Sequence, residues 1–242
     1  MEKNEIFGEL KYTKIIVIEG IDGSGKQSVT KLVKNILEEE HGHTVRTVSF
    51  PNYDSDSSYF AKKVLNGEFN KSSDTTPMTD FRKKSIATLS FILDRVITFY
   101  NDIDEYIYTQ ELSEKTNYLI FDRYSVSNDI YNGSMGDLTS RELEYNNLGL
   151  PKPDLTAILI MPYILSKHNR DTRTHKTKDF NENNEAYMKD IHERYANIIE
   201  DTLSSDTIPI HCDEISDDNK LTLRPLDEIA REVASHILKI TK

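Results

Sequence analysis

The run Ile15-Ile16-Val17-Ile18-Glu19-Gly20-Ile21-Asp22-Gly23-Ser24-Gly25-Lys26 constrains this chain more than any other stretch. Four consecutive apolar residues suit a strand buried on both faces. The glycines that follow permit positive φ, and Val29, Leu32, Val33, Ile36 and Leu37 then recur at helical spacing. A strand, a glycine-rich turn and a helix start, in that order, can turn backbone N–H groups toward an anion at the positive end of a helix. This is the architecture that cradles nucleotide phosphates. Gly20, Ile21, Asp22, Gly23, Ser24, Gly25, Lys26, Gln27 and Ser28 form the candidate ATP-binding set. Lys26 adds a point charge able to reach the β- and γ-phosphates. One position departs from the pattern G-x-x-x-x-G-K-[ST]. Gln27 stands where a magnesium-holding hydroxyl is expected, and Ser28 follows one residue later.

A length of 242 residues fits a single domain over 1–242. The net charge of −11 and a pI near 5.1 argue against nonspecific binding to nucleic acid or to an anionic membrane. No apolar run approaches the roughly 18 residues of a membrane span, and residues 1–14 lack a signal-peptide core. The sole cysteine, Cys212, cannot form an intrachain disulfide, which fits a reducing, cytoplasmic setting; it follows an apolar run and reads as a packed thiol.

Five short apolar runs, 14–19, 44–50, 117–121, 155–161 and 207–212, read as strands. Helical patterns cover 26–40, 57–66, 79–100, 102–112, 138–148, 185–203 and 226–240, with two more beginning near Ser125 and after Pro162. The segments 71–77, 168–184 and 213–220 are polar and read as loops, the second as a surface segment able to move. Strands alternating with helices imply an α/β fold, a parallel sheet covered on both faces. Right-handed crossovers bring the C-terminal strand ends to one edge, where ligands bind. The residues to inspect are the glycine turn, 50–53, Asp122-Arg123 and the segment after Met161.

A carboxylate at Asp122 can reach the phosphate turn through a hydrogen bond or through magnesium, and Arg123 offers a planar fork for a phosphate; a structural ion pair is the alternative. Phe91 and Arg95 are four apart and share a helix face. Spacing alone favours a packed Phe91 and a solvated Asp94-Arg95 pair over a ring and fork for a flat heterocycle. Arg170 and Arg173 lie in the polar segment. The turn holds no arginine between Gly20 and Lys26, so a guanidinium for a transferred phosphoryl group must come from elsewhere.

These stretches, together with Phe50-Pro51-Asn52-Tyr53, Leu65-Asn66-Gly67-Glu68-Phe69, Asp122-Arg123-Tyr124 with Ser127-Asn128 and Tyr131, and Gly149-Leu150-Pro151-Lys152-Pro153-Asp154-Leu155, occur in one order. In this combination the chain resembles the thymidylate kinases, P-loop nucleoside monophosphate kinases that convert dTMP to dTDP. The resemblance implies a three-layer P-loop kinase fold, a five-stranded parallel sheet flanked by helices, with a mobile lid at about 166–184. It implies ATP as co-substrate, Mg2+ as cofactor and a homodimer formed through the long helix from Thr79. Nucleic acid and membrane are not among the implied partners.

It also implies roles. Asp22, Lys26, Arg123 and one of Arg170 and Arg173 would be catalytic. Phe91 resembles the ring that stacks on thymine, Arg95 the arginine at the base edge, and Asn128 a residue that helps read the base. Tyr131 would lie near the sugar, Tyr53 near the acceptor phosphate, and Arg123 would hold the monophosphate. Asp22, Asp122 and Glu182 would serve the metal, and Asp179 falls where some members carry an acidic residue. The missing arginine of the turn is similar to the branch whose catalytic arginine sits in the lid. Acceptor choice stays open to dUMP or a 5-modified dUMP, and Gln27 leaves room for a catalytically weak nucleotide-binding protein.

Overall fold

The computed structural model describes residues 10–70, 80–133, 138–173, 182–201, 206–216 and 218–240. Its centre is a five-stranded parallel sheet of β1 (Thr13–Gly20), β2 (Thr44–Ser49), β3 (Asn117–Asp122), β4 (Leu155–Ile160) and β5 (Thr207–His211), in the spatial order β2-β3-β1-β4-β5. The five runs expected from sequence are these five strands, shifted by a residue or two at their ends. Nine α-helices are described: α1 (Lys26–Asn35), α2 (Tyr59–Leu65), α3 (Asp80–Thr98), α4 (Asp104–Ser113), α5 (Ser125–Asn132), α6 (Ser140–Glu142), α7 (Tyr163–Thr172), α8 (Glu185–Asp201) and α9 (Leu226–Lys239).

β1 is the middle strand, which is why it is apolar without alternation. Ile16 and Ile18 point to one layer, where Val29 and Val33 of α1 and Ile229, Val233 and Ile237 of α9 pack. Ile15 and Val17 point to the other layer, against Phe99, Ile103 and Ile107. All four β1 residues are fully buried, each contributing about 1.5–3 kcal/mol. The period of two also puts Glu19 on the Ile15 and Val17 face, the side on which α5 begins.

The register fixes the site. Ile18 pairs with Asp122 of β3, and Gly20 with Leu159 of β4, so the ends of three strands meet at one edge. The β1–β2 connection leads to one side of β1 and the β3–β4 connection to the other. The glycine turn thus sits at the switch point of the sheet, where open α/β folds bind ligands.

Three expectations change. Instead of two separate helices over 79–112, α3 passes into α4 through a wide π-helical turn, Phe99–Ile103; the added residue keeps Phe99, Ile103 and Ile107 on the buried side. The segment 213–220 is not simply a loop: β6 (Asp213–Ile215) pairs antiparallel with β7 (Leu221–Leu223), strands too short to show a period. The polar stretch from 168 begins as helix, because α7 runs to Thr172. Its polar side chains are docked on the glycine turn where apolar ones would ordinarily face a core. Residues 174–181, and with them Asp179, lie outside the described residues.

Candidate active site

The glycine turn is held from outside by α7. Ser166 Oγ donates to the Asp22 carbonyl (2.8 Å), as does Arg170 Nη1 (3.1 Å), and Asn169 Nδ2 donates to the Gly23 carbonyl (2.9 Å). In a trans peptide the N–H opposes the C=O, so the Asp22 carbonyl fastened on the α7 side leaves the Gly23 N–H directed to the other side, while the Ser24 N–H closes the turn onto the Ile21 carbonyl (3.1 Å). Gly23 (φ +88°) has no room for a side chain: a Cβ there would lie 2.4 Å from the Ser166 carbonyl oxygen. At Gly20 (φ +146°) a Cβ would lie 2.8 Å from the Leu159 carbonyl oxygen, so the strand end also requires glycine.

Lys26 opens α1 and is buried. Its Nζ donates to the Gly20 carbonyl (2.8 Å) and the Ile21 carbonyl (3.0 Å) of its own turn. Burial first, and then the nearby Arg123 charge, lower its pKa to about 8, against the opposing pull of Asp22, Asp122 and Glu19. Gln27 and Ser28 are both exposed on the cavity wall, so the hydroxyl displaced by one position still faces the site.

Arg123, directly after β3, has a left-handed backbone (φ +70°), unusual for a side chain of this size. Its N–H bonds the Ile18 carbonyl (3.1 Å), its Nη1 donates to Ser127 Oγ (2.9 Å), and its Nη2 pairs with Asp22 Oδ1. The guanidinium lies over the Tyr131 ring (5.1 Å), and the Tyr131 hydroxyl donates to Asp22 Oδ2 (2.8 Å). Asp22, Arg123 and Tyr131, singled out separately in the sequence, are one cluster.

Glu19 supports that cluster from beneath and is fully buried. Its Oε1 accepts from the N–H groups of Tyr124 (2.9 Å) and Ser127 (3.1 Å), and its Oε2 from Ser127 Oγ (2.5 Å) and the Tyr195 hydroxyl (3.1 Å). The carboxylate takes up orphan N–H groups at the start of α5 and, through Ser127, braces Arg123. Sequence reasoning named Glu19 and Ser127 within longer stretches but gave them no role, and it did not mark Tyr195. The one available signal was a carboxylate at the inward-facing end of a buried strand, which must find partners.

Phe91, Arg95 and Asn128 lie together at the other end of the same cavity. The expected solvation of Asp94-Arg95 is overturned, since the two residues are 0% and 2% exposed. Asp94 accepts from Ser57 Oγ (2.6 Å) and the Asn52 N–H (3.0 Å), which ties the segment after β2 onto α3; burial raises its pKa. Arg95 forks onto Glu144, with Nε at 2.5 Å and Nη2 at 2.8 Å. Asn128 donates to the Thr88 carbonyl (3.1 Å) and Ser140 Oγ (2.9 Å) and accepts from Asn132 Nδ2 (2.6 Å), so its whole amide is engaged within the protein. Tyr53 stands at the rim, 45% exposed.

Arg170 and Arg173 part company. Arg170 is buried beneath the turn, bonded to Asp22 O and Ser166 Oγ and lying over the Tyr163 ring, and it is absent from the cavity wall. Arg173, at the end of α7, lines the cavity and pairs with Glu182. Asp22 and Asp122 reach the cavity, whereas Glu182 is buried against Arg173 and does not line it. Among the described residues no three His, Cys, Asp or Glu side chains gather as a metal cage. Two carboxylates beside a phosphate turn nonetheless suit Mg2+, which takes one or two carboxylates and completes its shell with phosphate oxygens and water.

The cavity has a volume of about 940 Å³ and runs from Phe91 past Arg123 and the glycine turn to Leu223, Arg224, Leu226 and Ile229 on the far side. Cys212 also borders it and is fully buried, its thiol pushed up to about 12 by burial. Among the described residues no helix is long and apolar enough to cross a membrane.

A parallel sheet in the order β2-β3-β1-β4-β5, with a glycine turn, lysine and helix start at its switch point, defines a P-loop kinase of the α/β class. The family model described as thymidylate kinase matches residues 18–210, and the chain belongs to that family. It is 27% identical over 145 residues to a probable thymidylate kinase of Archaeoglobus fulgidus, covering 60% of this chain and 63% of that protein, less than two thirds of its length. It is 25% identical over 180 residues to probable thymidylate kinase 1 of Saccharolobus solfataricus, covering 73% and 82%.

Proposed function

We propose that the protein transfers the γ-phosphoryl group of ATP to the 5′-phosphate of dTMP, giving dTDP and ADP. The observation that carries this reading is the continuity of one cavity, which joins the phosphate turn to a wall of Phe91, Arg95 and Asn128 by way of Arg123. Its volume of about 940 Å³ leaves room for two nucleotides meeting at their phosphates.

In this reading the turn N–H groups and Lys26 hold the donor phosphates, after Lys26 leaves its own carbonyls. The apolar patch of Leu223, Leu226 and Ile229 takes the donor base. Arg123, held by Asp22, Ser127 and Tyr131, receives the acceptor phosphate, with Tyr53 at its rim. Phe91 stacks on the acceptor base, Arg95 meets its edge, Asn128 closes the pocket around it and Tyr131 lies near the sugar. Arg173 moves from Glu182 onto the transferred group, while Arg170 holds the turn in shape. Asp22 or Asp122 would hold Mg2+, which would supply neutralisation of phosphate charge. No general base is required, because the acceptor phosphate is already an anion; catalysis is positioning and charge stabilisation.

The α3 residues Phe81, Leu89 and Leu93, spaced by eight and four, are exposed and share a face, which supports a homodimer through that helix. Sedimentation at micromolar concentration tests it, and a monomer there removes it. Taken with the lone, buried Cys212, the reading is of a single-domain cytoplasmic enzyme.

An ADP-release assay with ATP and, in turn, dTMP, dUMP, dCMP, dGMP and thymidine tests the activity. The expected order places dTMP first. A methyl contact is worth about 1–3 kcal/mol, so dUMP is expected to be the nearest competitor. ATP binding without turnover of any monophosphate overturns the kinase reading.

A further inference from the structure

Behind the base end of the cavity lies a buried charge pair that takes no part in phosphoryl transfer. Glu144 is 0% exposed, and both of its oxygens receive Arg95, one N–H from Nε and one from Nη2. Glu144 Oε1 also accepts from Ser140 Oγ, which itself accepts from Asn128 Nδ2. The two base-end polar side chains, one from α3 and one from α5, therefore converge on one carboxylate and one hydroxyl. The segment that carries them is fixed independently. Thr139 and Glu142 form a reciprocal cap at the start of α6. Asp129 of α5 accepts from the Ser140 N–H (2.5 Å) and from Arg141 Nε (2.7 Å).

A buried ion pair is weak support for stability, because an apolar pair of similar volume often does as well. What a bidentate fork supplies is direction. The guanidinium is planar, so a carboxylate gripping the Nε and Nη2 edge fixes where the remaining N–H groups point. Arginine only donates; a base edge set against it must present an acceptor. We infer that Glu144, acting through Arg95 and seconded by Ser140 through Asn128, is the positioning residue that sets acceptor-base selectivity, admitting a carbonyl and rejecting an amino group at the edge Arg95 faces. This rests on the reading that the acceptor base occupies this end.

dTMP and 5-methyl-dCMP differ only along that edge, so they are the probes. The wild type is expected to prefer dTMP by about 100-fold or more in kcat/KM, since a site built to donate rejects the analogue that cannot accept. Glu144→Gln is expected to reduce the preference about tenfold, through KM for dTMP more than kcat, with ATP affinity unchanged; Glu144→Asp restores part of it. A folded Glu144→Gln enzyme with the wild-type preference overturns the inference. Should Glu144→Gln lose cooperative unfolding, Ser140→Ala serves instead: a reduced preference supports the inference and an unchanged one overturns it. Calorimetry with the wild type separates the two levels. Binding neither nucleotide removes the kinase reading along with the inference, whereas equal binding of both removes the inference alone.

Discussion

In the proposed reading, the donor phosphates meet mainly backbone and one lysine, whereas the acceptor meets side chains drawn from distant segments. The donor cradle is contiguous, from Gly20 to Ser28, and its shape is set by glycine geometry and by α7 fastening the carbonyls of Asp22 and Gly23. The acceptor wall is assembled from α3, β3, α5 and the segment after α6, and its charges are held by one another: Arg123 by Asp22, Arg95 by Glu144. A backbone cradle recognises any phosphate at that spacing. A side-chain wall can recognise one base, but each charge it uses must be neutralised and aimed by a buried partner.

The contrast breaks most visibly at Lys26, the side-chain charge of the glycine turn. Lys26→Ala is expected to lower kcat by about 10²–10³-fold in the ADP-release assay, the scale of losing one preorganised charge from a phosphoryl-transfer site. Far-UV circular dichroism of the variant should match the wild type, since Lys26 bonds only carbonyls of its own turn. Turnover near the wild-type value would mean that backbone alone is enough at the donor end.

Arg170 and Arg173 sharpen the comparison, being alike in sequence and placed differently. Arg173 faces the cavity, so Arg173→Ala is expected to reduce kcat about 10²-fold, with some loss of stability as well because the buried Glu182 carboxylate loses a charged partner. Arg170 is buried under the turn, so Arg170→Ala is expected to cost about 1–3 kcal/mol in a denaturant titration, by removing one of the two donors to the Asp22 carbonyl. If Arg170→Ala lost turnover at unchanged stability, the assignments would exchange.

The donor half was legible because it is local. Strand, turn, lysine and helix follow one another, and each step has a compositional mark. The parallel sheet was legible for the same reason, five apolar runs separated by helical patterns, whereas the spatial order of its strands came only with the structure. The acceptor half was legible only through the resemblance. Spacing could put Phe91 and Arg95 on one face, but it read Asp94-Arg95 as solvated, because a charged pair on a helix ordinarily is. Glu144 lies 49 residues from Arg95, and nothing near it in the sequence announces a buried carboxylate. Glu19 carries no mark of its own inside the most conspicuous stretch of the chain, because one carboxylate at a strand end has the same local sequence whether it is buried or solvated. α7 was misread from residue 168 because low apolar content normally marks a solvated segment. Ser166, Asn169 and Arg170 are polar because the surface they cover is made of carbonyl oxygens.

The subtlest difference between the two ends is one of protonation. Arg123 and Arg95 stay charged at any working pH, whereas the pKa of Lys26 in the folded protein is about 8 against 10.5 for an ordinary lysine. The folded chain therefore holds fewer protons than the unfolded chain between about pH 8 and 10.5. This group's penalty on the fold, present in full below pH 8, is relieved as pH rises through that window, on the order of 3 kcal/mol in total. Binding runs the other way. Donor phosphates draw Lys26 off its carbonyls and favour its charged form, so ATP binding above pH 8 must take up a proton. Calorimetry in buffers of different ionisation enthalpy is expected to give an uptake of about 0.1 proton at pH 7, about 0.5 at pH 8 and near 0.9 at pH 9, with ATP affinity weakening by no more than about tenfold across the range. Lys26→Arg, whose charge persists throughout, should abolish the uptake. An uptake that survives in Lys26→Arg would place the titrating group elsewhere, and the donor end would then depend on side-chain charge as little as its backbone cradle suggests.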